Sequence, residues 1–189
     1  MLDMIRSYNY LISKINTTTK HLKAHRAIFD KEEYKYCYPV YEKAMYISIA
    51  LTDLMVSLKY LHISSVSKNE YETNYFARSV AVTCYELINH QEKIVGKEIY
   101  KTVAKNVGSE SLSEIIAAKK QLGKITKEHF QVLKNIRNNL YAHRHGNGYE
   151  MAIAMLNIEN TMIYKIGKDI FDIYLILLNN YVQLATKLQ

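Results

Sequence analysis

The sequence predicts an all-α fold, an up-and-down bundle of about five to six helices spanning residues 1–189 as one domain. Three observations predict it. Gly occurs 6 times and Pro once, so the turn chemistry a many-stranded fold needs is scarce. Apolar residues recur at spacings of three and four over long stretches, the period of a helix face. Hydrophobic residues make up 49% of the 189, enough to bury a core.

In chain order, residues 2 to about 29 read as a first helix, weakly amphipathic and interrupted at Thr17-Thr18-Thr19. His21 and His25 lie four apart on it, a spacing compatible with a zinc pair, but no third ligand follows at helical spacing. Tyr34, Tyr36, Tyr38 and Tyr41 surround Pro39, and proline suits a helix's first turn. A second helix therefore starts near Pro39 and runs to about Ser64. Met45, Ile49, Val56 and Leu61 mark its inner side, and Ile47, Leu51, Leu54 and Leu58 widen the apolar arc. Such a wide arc predicts a central helix. Asp53 falls within the arc, where it caps, pairs with a cation or faces solvent.

Ser64–Asn69 reads as a linker, and a third helix follows from about Glu70 to Asn106, with Phe76, Val80, Cys84 and Leu87 on one face. Arg78 on it is an ion-pair partner or a phosphate contact. Gly108 is a stop. Ser111-Leu112-Ser113-Glu114 has the capping-box pattern and opens a short fourth helix to about Leu122. Gly123 ends that helix, and Thr126 caps a fifth, which Gly146 and Gly148 close. A last helix runs from about Tyr149 to Lys187. Its seam of Ile163, Ile166, Ile170, Ile173, Leu177, Tyr181 and Leu184 packs within the chain or against a second one.

Lys and Arg number 25 against 18 Asp and Glu, a formal excess of +7 that permits a nucleic-acid partner without establishing one. Cys37 and Cys84 have no partner at metal-ligand spacing and read as reduced, buried thiols of a cytoplasmic protein. The first residues lack an unbroken apolar signal core. The most apolar run, Ile170–Val182, is broken by Asp172, Asn179 and Asn180, so no membrane partner is expected.

The fifth helix carries the densest chemistry. Arg137-Asn138-Asn139-Leu140-Tyr141-Ala142-His143-Arg144, followed by His145, gathers two arginines, two histidines and two amides at a helix end. Phe130, Leu133, Ile136 and Leu140 form its apolar stripe, and Arg137, Tyr141 and Arg144 share one edge of that stripe. On a straight helix at about 100° per residue, His143 falls about 120° from Arg137 and about 9 Å further along. Those two side chains then meet at one phosphate only if the helix unwinds near Ala142, or if two copies bring their motifs together across a twofold axis.

Such groups suit metal-free cleavage of RNA, which carries its own 2′-hydroxyl nucleophile. A histidine takes that proton or protonates the leaving 5′-oxygen. Arginine neutralises charge on the non-bridging oxygens. The candidate catalytic set is Arg137, Asn138 and His143, with Asn138 holding the imidazole or a phosphate oxygen. Tyr141 and Arg144 can stack on a base or touch the backbone, and His145 joins them as the candidate substrate-binding set. Neither a metal nor another cofactor is called for.

The stretch resembles the Arg-(polar)-x4-His motif of HEPN domains, closest to the Arg-Asn-x-Leu-x-Ala-His-Arg form of abortive-infection-type members. The resemblance is specific over about eight residues and architectural elsewhere. It implies a helical bundle that homodimerises, with a metal-independent endoribonuclease site in the dimer cleft, serving phage defence or a toxin–antitoxin pair. Arg137, Asn138 and His143 match the motif's Arg, polar residue and His, and Arg144 matches the common basic residue after it. Many relatives carry an acidic residue next, where this chain has His145, whose role stays open. Some HEPN proteins lack nuclease activity. A non-catalytic helical interaction or regulatory module, and an RNA binder without turnover, are therefore the alternative readings.

Overall fold

In the computed structural model, residues 2–97, 99, 109–138, 153 and 157–187 are described. Among them the regular elements are all helical: α1 (Leu2–Ala24), α2 (Arg26–Phe29), a 3-10 helix (Glu32–Cys37), α3 (Tyr38–Val66), α4 (Glu70–Asn89), α5 (Gln91–Ile94), α6 (Ser109–Asn135) and α7 (Asn160–Lys187).

Helix α3 is the axis of the bundle, packed by α1, α4 and α7. Pro39 sits in its first turn, as the sequence predicts, where the missing N–H costs nothing. Its buried line is Ile47, Leu51, Leu54, Leu58 and Leu61. The inner side is therefore rotated from the predicted one: Ile49 is 53% exposed, and Val56 and Met45 flank the core. Asp53 faces solvent. Glu32–Val66, which includes α3, is the one described helical stretch long and apolar enough to cross a membrane, by length and composition alone. The run Ile170–Val182 does not qualify.

Helix α7 lays the predicted seam against this axis. Ile163, Ile166, Ile170, Ile173, Leu177, Tyr181 and Leu184 are all buried within the chain. Gly167 marks a close crossing: a Cβ there would lie 2.7 Å from Val80 Cγ1 and 2.9 Å from Leu58 Cδ2. Only a glycine lets α7 approach α3 and α4 so closely. On α4, Val80, Cys84 and Leu87 are buried, and Asn69 caps the start of the helix by accepting from the Glu72 N–H at 3.2 Å.

Several predicted boundaries move. Thr17, Thr18 and Thr19 do not interrupt α1, because each hydroxyl donates to the carbonyl four residues back and rides on the helix. The break comes at His25, whose ring Nδ1 lies 2.7 Å from the His21 carbonyl and so covers a helix end. That contact gives the His25 ring a capping role at the end of α1.

Helix α4 ends at Asn89 instead of continuing toward Asn106; of the predicted remainder, residues 98 and 100–106 lie outside the described residues. The turn at His90 lets Ile94 and Val95 bury. Tyr174 and Tyr181 on α7 donate to the Leu87 and Ile94 carbonyls at 2.6 and 2.7 Å, so the broken ladder leaves those acceptors satisfied. Gly96 belongs to this turn, since a Cβ would collide with the Glu92 carbonyl oxygen.

The predicted fourth and fifth helices are one helix, α6. It is already helical at Ser109, so Ser111 does not start it, and it passes through Gly123. Thr126 is not a cap; its hydroxyl donates to the Leu122 carbonyl at 2.8 Å within the helix. Ile115, Ala118, Leu122 and Leu133 share a buried face, and that burial outweighs one glycine's preference to stop. Glu114 and Lys119 on α6 reach Asn180 of α7 and Glu92 of α5. Residues 157–159 are non-helical, so the predicted helix from Tyr149 does not run unbroken into α7.

Candidate functional site

Residues 136–138 leave α6 in a wider π-helical turn. Such a turn inserts extra backbone into the helix and is common at functional sites. The uniform wheel therefore fails at Ile136, earlier than the predicted unwinding at Ala142. Leu133 and Ile136 anchor the turn in the core, and Phe130 stacks on Tyr85 of α4 with ring centroids 5.5 Å apart.

Arg137 comes off this turn against α4. Its Nε lies 3.6 Å from Glu86 Oε1. Its Nη1 donates to Asn138 Oδ1 at 3.2 Å, and the guanidinium carbon sits 5.7 Å from the Tyr85 ring centre. A planar cation is thus held on three sides, which an ammonium could not match. The side chain stays 37% exposed, so a solvent-borne anion can reach it.

Glu86 is shared. Its Oε2 lies 3.8 Å from His90 Nδ1, and the Tyr46 hydroxyl on α3 lies 3.4 Å from that same nitrogen. The Tyr46 and His90 rings meet edge to face at 6.3 Å. Burial pushes the Tyr46 hydroxyl above its usual range, and the Glu86 carboxylate adds to the shift. Tyr46 therefore stays protonated at neutral pH.

Of the sequence-predicted site residues, Arg137 and Asn138 stand together here. Tyr141, His143, Arg144 and His145 lie outside the described residues. Glu86, His90 and Tyr46 were not among the predicted residues. Glu86 and His90 share one helix face at a spacing of four, but nothing in the sequence ties that face to Arg137. Arg78 is half-buried, donates to the Asn74 carbonyl at 3.3 Å and lies over the Tyr75 ring. Cys84 is buried and its thiol is raised by that burial, which suits packing rather than nucleophilic work.

Among the described residues two cavities lie elsewhere. One of about 300 Å³ opens between α1, α3 and α7 beside the Tyr8–Tyr164 hydroxyl pair, which are 2.6 Å apart. The other, about 660 Å³, is lined by Ser65, Lys68, Thr73, Asn74 and Asn160 near the α3–α4 turn. Each carries a carboxylate and a lysine, Glu70 with Lys68 in one and Asp172 with Lys168 in the other, but neither adds a histidine as the Arg137 cluster does.

Fold and site together define a class: an all-α helical bundle with a buttressed arginine at a π turn. No family model, curated protein or solved structure matches the chain.

Proposed function

We propose that the protein is a metal-independent endoribonuclease of HEPN type. It acts in the cytoplasm as a homodimer, in phage defence or as the toxin of a toxin–antitoxin pair. One observation carries the reading: the motif's Arg137 is oriented by Glu86, Asn138 and Tyr85 yet remains open to solvent. A guanidinium so held suits a phosphodiester, because it is preorganised for the charge that grows on the non-bridging oxygens. Asn138 beside it supplies the polar position of the motif. His143 is the motif's proton-transfer group, and Tyr141, Arg144 and His145 contact the RNA.

The test is cleavage of RNA in the presence of EDTA, with 2′,3′-cyclic phosphate ends. Arg137→Ala and His143→Ala abolish it. Retained cleavage in both folded variants rejects the assignment.

The Arg137–Glu86 pair also favours a second reading, a non-catalytic helical module whose motif shapes an interface. Purified protein would then leave RNA intact, and a filter-binding titration would show a flat response to salt.

A further inference from the structure

Three elements deliver one polar cluster. Helix α3 gives Tyr46, α4 and its C-cap give Glu86 and His90, and the turn after α6 gives Arg137. One carboxylate faces both groups, with Oε1 toward Arg137 Nε at 3.6 Å and Oε2 toward His90 Nδ1 at 3.8 Å. The His90 and Glu86 side chains are 34% and 37% exposed, open enough for a ligand and covered enough to be held.

We propose that His90 is the base that takes the 2′-hydroxyl proton in RNA cleavage, and that Glu86 is the positioning residue holding His90 and Arg137 at one phosphate. The proposal rests on the ribonuclease reading above and deepens it. His90 comes from another part of the chain, so one chain by itself brings a guanidinium and an imidazole to the two oxygens of a single carboxylate.

The Glu86 carboxylate offers only lone pairs, so it favours the proton on Nδ1 of His90; in that tautomer the Tyr46 oxygen is placed to accept from the same N–H. Nε2 then carries the free lone pair of the neutral ring. Among the described residues nothing hydrogen-bonds to Nε2.

The step balances without a redox partner. The 2′-O–H bond breaks and its proton goes to His90 Nε2, while the bond from the 2′-oxygen to phosphorus forms. The phosphorus–O5′ bond breaks, and O5′ leaves with a proton from His143. The products are a 2′,3′-cyclic phosphate and a 5′-hydroxyl. Solvent returns both imidazoles to their starting forms. Arg137 neutralises the non-bridging oxygens throughout.

The experiment pairs two probes, a labelled random-sequence single-stranded RNA pool and its uncleavable 2′-O-methyl counterpart. His90→Gln lowers kcat about 100-fold or more, as loss of a general base does. It leaves binding of the 2′-O-methyl pool within about threefold of wild type. Glu86→Gln lowers kcat in the same way, and Glu86→Asp, which keeps the carboxylate, recovers part of it. His90→Asn replaces His90→Gln if the latter melts early. If wild type cleaves and folded His90 and Glu86 variants cleave equally well, this assignment falls and the ribonuclease reading stands. If wild type leaves the pool intact, both fall.

Discussion

The Tyr174 hydroxyl donates to the Leu87 carbonyl at 2.6 Å, joining the middle of α7 to the place where α4 gives out. Seven residues on, Tyr181 repeats the contact with the Ile94 carbonyl at 2.7 Å. Both rings are buried, and burial raises the Tyr174 hydroxyl, so it remains a donor at neutral pH. Tyr174→Phe removes the donor and strands a buried carbonyl. The expected loss is about 1–3 kcal/mol, read as a lower urea midpoint with an unchanged slope.

That pair also shows what the sequence could and could not reveal. The α7 seam was legible because seven apolar positions keep the three–four spacing, and all seven are buried. Pro39 and Glu70 were legible as helix starts because proline and the polar linker Ser64–Asn69 act locally. The end of α4 was not. Asn89-His90 contains neither Pro nor Gly, and the hydroxyls that make a break affordable come from α7. Half of the site was hidden for the same reason. Arg137 stands in a motif, whereas Glu86 and His90 become a site only when α4 lies beside the turn after α6.

Two glycines on the inner helices should respond in opposite directions. At Gly123 an added Cβ meets nothing within 4 Å, so Gly123→Ala only removes flexibility from a helix interior. It should stabilise by about 0.5–1 kcal/mol, or about 1–4 °C in Tm for a chain of this size. At Gly167 the Cβ meets Val80 and Leu58 side chains at under 3 Å. Gly167→Ala should destabilise by about 1–3 kcal/mol as α7 is pushed away. Thermal melts of the two variants beside wild type decide both; a stabilised Gly167→Ala would mean that the α7 crossing is looser than described.

Asp172, exposed at the rim of the groove between α1 and α7, has its carboxyl raised, chiefly by partial desolvation against the groove and further by Asp169, with Lys168 pulling it down. The fold therefore disfavours the charged form. Relative to the unfolded chain, this group is neutral in effect at pH below its ordinary carboxylate value. It becomes a cost as pH rises through the folded value. Asp172→Asn should raise Tm at pH 7 and leave it unchanged near pH 3. A variant that loses stability at pH 7 would instead mark Lys168 as a dominant partner.

Arg137→Lys tests whether the cluster needs a guanidinium or only a positive charge. Lysine keeps the attraction to Glu86 but cannot also donate sideways to Asn138 and lie flat over Tyr85. The pair is over a third exposed, so either substitution should shift stability by no more than about 1 kcal/mol. Activity should respond quite differently. If Arg137 meets a non-bridging phosphate oxygen in the transition state, both Arg137→Lys and Arg137→Ala lose RNA cleavage by about 100-fold or more. Cleavage retained by the lysine variant would reduce Arg137 to a source of positive potential. Equal stability with lost turnover would separate its catalytic work from its place in the fold.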